Sequence, residues 1–230
     1  MQYQKWRTIY EDIIQDLGID EHDDIRSATI LNELLDQYST PRSLELVKPL
    51  LFNKEVMVCG AGPSLTDSLK KYSKNLHQMS CIAADGATSA LLEHGRTPDI
   101  ITSDLDGYLP DLIKANKYGS ILIVHAHGDN HQVIKQTLHR FPGPIIGTTQ
   151  TDPSPFSHLS NVGGFTDGDR AVYLADHYQA RRISIIGFDF NGKIGSYSFA
   201  SNKNIQMKKR KLNWCEKLIG YLDQSHIELL

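Results

Sequence analysis

The chain has 230 residues and a net charge of −3, from 24 lysines and arginines against 27 aspartates and glutamates. That length suits one large domain, or one with an appendage, and buries a core without staples. With 40% hydrophobic and 22% charged residues the chain is globular in composition, and its near-neutral balance argues against nonspecific nucleic-acid binding, which needs excess Lys and Arg. The longest apolar runs, such as Ile121 to Val124, fall far short of the ~20 residues of a membrane span. Residues 1–8 carry no apolar signal-peptide core. Three widely spaced cysteines, Cys59, Cys81 and Cys215, with no C-x-x-C pattern, predict reduced thiols and a cytoplasmic protein.

The first fifty residues read as helical. Trp6, Ile9, Tyr10, Ile13, Ile14 and Leu17 form one stripe of a helix, with Gly18 as its stop. A second stripe runs from Ile25 through Ile30, Leu31, Leu34 and Leu35 to Tyr38, with Pro41 ending it. Residues 1–54 are expected to form a helical N-terminal subdomain, which covers the site, joins a homo-oligomer or only finishes the core.

From residue 55 short apolar runs alternate with helical patterns. The predicted strands are Val56–Cys59, Cys81–Ala84, Ile100–Thr102, Ile121–Val124, Pro144–Ile146 and Ile183–Ile186. Between them lie predicted helices at Ser64–Ser73, Thr88–His94, Leu109–Asn116, Asp129–His139 and Asp167–His177. A last helix, about Ile205 to Gln224, follows a Gly/Ser/Asn-rich loop at Asn191–Asn204. Near-continuous apolar strands alternating with helices predict an α/β fold, a doubly wound, Rossmann-like, mostly parallel sheet over residues 55–230.

In such sheets ligands bind beyond the carboxyl ends of the strands. The predicted strands are followed by Gly60-Ala61-Gly62-Pro63-Ser64-Leu65, Asp85-Gly86-Ala87, Ser103-Asp104-Leu105-Asp106-Gly107, His125-Ala126-His127-Gly128-Asp129-Asn130, Thr148-Thr149-Gln150 and Gly187-Phe188-Asp189. Small, polar and acidic residues at every strand end predict one active site along this edge. Gly60, Gly62, Pro63 and Ser64 suit a phosphate, because glycines admit close backbone approach and the helix start offers N–H groups. They equally suit a plain turn capped by Ser64. Asp104 and Asp106 flank Leu105 at a strand end, where period two puts them on one side. Two adjacent carboxylates repel unless a cation lies between them, and Mg²⁺ takes such oxygen ligands together with phosphates. Asp85 and Asp129 end neighbouring strands and complete an acidic cluster; turn and cap chemistry is the alternative for any one Asp.

His125, His127, Asp129 and His131 bear some likeness to the ligand run of zinc hydrolases of the metallo-β-lactamase type. Asn130 stands where that run needs His, and the βα alternation argues for neutral pocket histidines instead. Asn161–Ala171 is a glycine-rich approach to a helix. Thr166 or Asp167 can cap it, Arg170 lies in the first turn within reach of a phosphate, and Gly164, Asp167 and Arg170 are expected to bind ATP; a purely structural cap is the alternative. Lys208-Lys209-Arg210-Lys211 reads as a solvated helix face, or as cations folded over a triphosphate.

Taken together, G-A-G-P-S-L, A-D-G-A, P-D-I-I-T-S-D-L-D-G, H-A-H-G-D-N, G-G-F-T-D-G-D-R-A and G-F-D resemble the archaeal 6-hydroxymethyl-7,8-dihydropterin pyrophosphokinases, over about residues 55 to 220. That family is similar to the thiamin pyrophosphokinases in its A-D-G, paired-Asp strand end and third Asp, here Asp85, Asp104 with Asp106, and Asp129. The thiamin family has a Lys three residues after its third Asp; Gln132 stands there in this chain, so Arg170 or the Lys208–Lys211 run is left to replace it. The resemblance implies transfer of diphosphate from ATP to the hydroxymethyl group of the pterin, with AMP released. It implies Mg²⁺ on Asp104, Asp106 and Asp129, with Asp85 orienting a metal water or the hydroxyl. A pterin needs polar groups for its amide-like edge, and Asn130, Thr148, Gln150 and Asp189 are the candidates. The expected partners are ATP and a reduced pterin, with neither nucleic acid nor membrane. Competing readings are a thiamin diphosphokinase, a sugar-nucleotide glycosyltransferase, a zinc hydrolase, or a nucleotide-binding module without turnover.

Overall fold

The computed structural model describes residues 3–38, 44–128, 130–190, 195–197 and 205–230. Asp129, Pro41 and most of the Asn191–Asn204 loop lie outside the described residues. Eight described strands run β1 (Glu55–Cys59), β2 (Ser80–Ala84), β3 (Ile100–Ser103), β4 (Ile121–Ala126), β5 (Ile145–Thr149), β6 (Leu159–Ser160), β7 (Arg182–Ile186) and β8 (Ile227–Leu229). The described helices are α1 (Tyr3–Leu17), α2 (Glu21–Asp36), α3 (Lys48–Leu51), α4 (Leu65–Lys71), α5 (Ser73–Leu76), α6 (Ala87–Glu93), α7 (Leu109–Lys117), α8 (His131–Thr137), α9 (Asp167–His177) and α10 (Ile205–Gly220).

All strand pairs are parallel, in the order β6-β5-β4-β3-β2-β1-β7-β8. The chain winds outward from β1 to β6, then crosses back and adds β7 and β8 on the other side of β1. The winding direction therefore reverses between β1 and β7, and the crevice this opens at the carboxyl ends is where a doubly wound sheet binds ligands. Both faces are covered. Val56 and Val58 of β1 pack into one core with Ala171, Val172 and Ala175 of α9. Met57 and Cys59 point the other way, to Leu65 and Leu69 of α4 and Leu91 of α6. This double burial explains why the strands read as continuous apolar runs.

The six strands read from the sequence are present, and two are added at the edges. With two residues in β6 and three in β8, these are too short for a periodic signal. The β8 strand is fixed by pairing with β7 and by Glu228, which accepts from Ser184 Oγ (2.7 Å) and pairs with Arg182. The last helix stops at Gly220, short of the expected Gln224.

Both N-terminal helices bury their faces against this α/β body. Trp6, Tyr10, Ile13 and Leu17 of α1 meet Tyr173 of α9 and Trp214 and Leu218 of α10. Trp6 Nε1 also donates to the Gln150 carbonyl just past β5 (2.7 Å). Helix α2 lays Ala28, Leu31 and Leu35 on the β4–β5 region and α8. Its inward face differs from the expected stripe. Ile25 is 42% exposed, whereas Asp24 and Ser27 are fully buried, because they bond the chain after β4. The three cysteines are unbridged and buried, and no described helix is long and apolar enough to cross a membrane.

Trp6 is the largest side chain that α1 buries and is 1% exposed. Its replacement by Ala is expected to cost about 3–5 kcal/mol, the range for truncating a buried aromatic residue. Urea unfolding followed by far-ultraviolet circular dichroism measures this.

Candidate active site

A cleft of about 260 Å³ opens over the carboxyl ends of β1, β2, β3 and β7, at the reversal of winding. Its floor is acidic. Asp85 follows β2, Asp104 and Asp106 follow β3, and Asp167 begins α9, which crosses the sheet beneath. Carboxylate oxygens of Asp85, Asp104 and Asp167 lie within 4.8 Å of one another. Asp106 lines the same cleft.

Local backbone geometry makes this crowding possible. Strand β3 ends at Ser103, so strand alternation does not bring Asp104 and Asp106 together. A turn does. Leu105 between them is buried in the left-handed region (φ +69°), and its N–H donates to Ser103 Oγ (2.9 Å). The Asp106 N–H then donates to Asp104 Oδ1 (3.2 Å). Asp85 is also left-handed (φ +41°) and accepts from Ser103 Oγ (2.5 Å). Non-glycine residues in this region are strained, and such strain collects at functional sites. Gly107 passes directly over the Asp85 carboxylate, where any side chain would collide with it.

The carboxylates are not electrically equivalent. Burial pushes Asp104 up, but the His127 hydrogen bond (Nε2–Oδ2 2.8 Å) and charge outweigh it and hold the group well below the ordinary carboxylate range. Burial, reinforced by repulsion from Asp104 and Asp106, raises Asp85 well above its ordinary value. Burial and Asp104 likewise raise Asp167, against the pull of Arg170. Burial and Asp104 push Asp106 up to about 7. The floor thus combines one carboxylate held firmly ionised with three whose titration is displaced upward, a displacement that nearby positive charge would oppose. Three clustered carboxylate oxygens in a half-buried setting are a donor set suited to a hard cation.

Cations line the opposite wall. Lys208, Lys209 and Lys211 of α10 face the cleft, and Lys208 and Lys211 are both near enough to act on the Asp106 charge. Phe165 and Phe188 supply apolar wall. The three lysines of the basic run therefore line the cleft, whereas Arg210 pairs with Asp16 of α1.

The other expected site residues fall in several places. Asp189 lines the cleft and accepts from Ser64 N–H (3.0 Å) and Oγ (2.9 Å). Gly60 and Gly62 line it too, but their N–H groups donate to Ile186 and Gly187 carbonyls. Phosphate cradling by these amides is therefore not what the G-A-G-P-S-L turn is arranged for. It locks β1 to the end of β7, and a side chain at Gly62 would strike Asp189. Pro63 stands in this turn, and Ser64 makes no side-chain cap bond to α4. Thr166, not Asp167, caps α9, in a capping box with Asp169, which leaves the Asp167 carboxylate for the acidic group. Arg170 is 3% exposed; its Nη1 pairs with Asp167 (3.0 Å) and its Nη2 donates to the Phe165 carbonyl (2.8 Å). Gly164, left-handed at φ +89°, packs on the Arg170 backbone.

Three of the four residues expected at the pterin edge are engaged elsewhere. Asn130 accepts from the His127 N–H (3.1 Å) and donates to the Asp104 (3.1 Å) and His125 (2.7 Å) carbonyls. Thr148 is buried, bonded to His125 Nδ1 (3.0 Å) and the Val124 carbonyl (3.2 Å). Gln150 is buried and donates to Asp24 (2.7 Å). Their hydrogen bonds are made inside the protein behind the cleft, although Gln150 Oε1 has no partner there. Burial, with Arg170 nearby, lowers His125 well below its ordinary value, so it is a neutral core imidazole. Among the described residues the acidic trio is the group whose ligand atoms converge; the histidines form no such group. Sequence reading overlooked the pairing of His127 with Asp104 and the part of Asp24. The signal available was an aspartate and a serine, three residues apart, at the head of an apolar helix stripe.

A family model described as 6-hydroxymethylpterin diphosphokinase MptE-like matches residues 23–195. Three proteins named 6-hydroxymethyl-7,8-dihydropterin pyrophosphokinase are similar over nearly their whole length. The Pyrococcus furiosus protein is 38% identical over 98% of this chain and 96% of its own. The Methanocaldococcus jannaschii protein is 38% identical over the whole of both chains. The Methanothermobacter thermautotrophicus protein is 39% identical over 98% of this chain and 97% of its own. Among solved structures, the MAf glycosyltransferase from Magnetospirillum magneticum AMB-1 superposes on 91% of this chain with a TM-score of 0.56 and 16% identity, while the chain spans 38% of that protein; the likeness is one of fold. On the family match and these full-length relatives, the chain belongs to the 6-hydroxymethylpterin diphosphokinase MptE-like family.

Proposed function

We propose that the chain transfers diphosphate from ATP to 6-hydroxymethyl-7,8-dihydropterin, giving AMP and the pterin diphosphate. The observation that carries this reading is the acidic floor facing the α10 lysines across one cleft, in a chain similar throughout to proteins named for that activity. In the reaction the hydroxymethyl oxygen bonds to the β-phosphorus as the bond from that phosphorus to the α,β-bridging oxygen breaks. AMP leaves with the bridging oxygen, and the hydroxyl proton passes to a carboxylate of the floor. Such transfers need positioning and charge neutralisation more than covalent help from the protein.

Asp85, Asp104 and Asp167 are the residues that would hold Mg²⁺, which supplies positive charge to the phosphates when bound. Asp106 stands outside this trio, near neutral pH in its titration, and is the carboxylate suited to take the hydroxyl proton. Lys208, Lys209 and Lys211 neutralise the triphosphate from the other wall. Phe165 and Phe188 give flat apolar surface for a heterocycle, and Asp189 offers an acceptor beside it. Asp85, Asp104 and Asp167 are half-buried, which strengthens their charge interactions relative to open water.

Incubation with ATP, Mg²⁺ and the reduced pterin is expected to release AMP, with none in a parallel tube containing thiamin. ADP as product, or AMP only with thiamin, would overturn the assignment. Asp104→Asn is expected to lower the rate by at least ~10²-fold, the scale for removing preorganised charge stabilisation. It should leave the far-ultraviolet circular dichroism as in the wild type, because Asn keeps the side-chain shape and an oxygen for the Asp106 N–H.

The raised carboxyls make a second expectation. Asp106 rises from an ordinary value of 3.8 to about 7, so between these values the folded state holds protons that the unfolded state has lost. Its contribution to stability is present below about 4 and is lost as pH rises through about 7. Asp85 and Asp167 act in the same direction. Added Mg²⁺ should therefore raise the melting temperature more at pH 8 than at pH 5. An equal shift at both, read by differential scanning fluorimetry, would remove the floor as the cation site.

A further inference from the structure

We propose that α2 positions the Asp104 carboxylate, acting through Gly128 and His127, so that the N-terminal helices are part of the catalytic apparatus. The proposal rests on the assignment of Asp104 to the phosphate-handling group.

Asp24 lies on the inward face of α2, at the head of an apolar stripe, and is fully buried. A carboxylate in such a place costs far more than a leucine unless donors surround it. Its donors come from three separate elements. Tyr10 Oη of α1 and Gln150 Nε2 beyond β5 (2.7 Å) donate to Oδ2, and the Gly128 N–H donates to Oδ1. Ser27, one turn further along α2, donates its hydroxyl to the Gly128 carbonyl (2.6 Å). Helix α2 thus holds both the N–H and the carbonyl of a single residue after β4. Gly128 is left-handed (φ +49°), and nothing lies within 4 Å of where its Cβ would be. Glycine serves the backbone turn there, not a shortage of space.

That turn is one residue from the active-site floor. His127 sends its Nε2 to Asp104 Oδ2 at 2.8 Å. Its own N–H is held by Asn130 Oδ1 (3.1 Å), and Asn130 Nδ2 reaches the Asp104 carbonyl (3.1 Å). Asp104 is therefore gripped at side chain and main chain by residues on either side of Gly128. The path runs by hydrogen bonds from α2 to Gly128, along the backbone to His127, whose N–H Asn130 also holds, and by hydrogen bonds from His127 and Asn130 to Asp104. No member of it except His127 and Asp104 lines the cleft. Asp24 and Ser27 are positioning residues, and a displacement of about 1 Å in such a carboxylate can cost ~10²-fold in rate.

The test compares Ser27→Ala and Asp24→Asn with Ser120→Ala in the full chain. Ser120 is equally buried and bonds the Pro98 carbonyl (2.6 Å), but it precedes β4 at the opposite end of the sheet from the cleft. Three quantities are read: exchange of the Gly128 amide proton, the ¹⁵N ring signals of His127 in metal-free protein, and kcat with KM for ATP. Both α2 variants are expected to speed Gly128 exchange about tenfold or more, shift the His127 ring signals, and lower kcat about tenfold with KM for ATP within about twofold. Ser120→Ala should lose melting temperature and change none of the three. If the α2 variants leave the His127 signals as they are in the wild type, the helix is a structural brace and the proposal fails. It also fails if those signals shift and kcat stays. A wild-type protein that forms no AMP would remove the assigned reaction, and the Gly128 and His127 readouts would still decide the coupling.

Discussion

Repulsion among carboxylates is the constraint around which this molecule is arranged. Asp85, Asp104 and Asp167 meet half-buried at one edge of the sheet, with the more exposed Asp106 beside them. In a medium of low dielectric, four such charges cannot all be present without compensation. Each has its own remedy. His127 keeps Asp104 ionised, Arg170 sits against Asp167, Ser103 bonds Asp85, and Lys208 and Lys211 act on Asp106. The left-handed backbones of Asp85 and Leu105 belong to the same arrangement, since they turn the acidic groups inward. Positive charge entering there would oppose these upward shifts and favour joint ionisation, so the donor set is one suited to a hard cation.

The parallel sheet makes that concentration of charge attainable. Parallel strands all end at the same edge, so β1, β2, β3 and β7 deliver their following loops to one place. The reversal of winding between β1 and β7 separates the loops there and opens the cleft. The G-A-G-P-S-L turn closes its floor by joining β1 to β7, with its amides directed to Ile186, Gly187 and Asp189. Helix α9 passes under the same strands and brings Asp167 and Arg170 up from below. Helix α10 places its lysines above.

Behind the cleft lies a second polar layer, which ties the N-terminal helices to the strand ends. Trp6, Tyr10, Asp24 and Ser27 form a hydrogen-bonded group with Gln150 and Gly128, and His125 and Thr148 fill the interval. These groups are costly to bury, and most of their polar atoms have a specific partner; Gln150 Oε1 and His125 Nε2 do not. The helices therefore do more than cover apolar surface: they fix the chain on which His127 and Asn130 are mounted.

The sequence by itself determined the alternation of apolar strands with helices, because burial on both faces leaves a local trace. Hence six strands, the α1 stripe and the carboxyl-end location of Asp85, Asp104, Asp106 and Asp189 could be read directly. It also carried the family resemblance in its combined motifs. Tertiary structure alone decided the rest. Edge strands of two and three residues hold too little pattern to be seen. Thr148 and Gln150 lie at the end of β5, yet they turn into the interior because α1 and α2 cover them. Asp167 joins the acidic floor because Thr166 takes the cap and α9 crosses under β3. His127 meets Asp104, and Asp24 meets Gly128, across more than twenty and one hundred residues of chain respectively. Periodicity reports what a segment buries, whereas the partner of a charged or polar group is set by which distant segment folds against it.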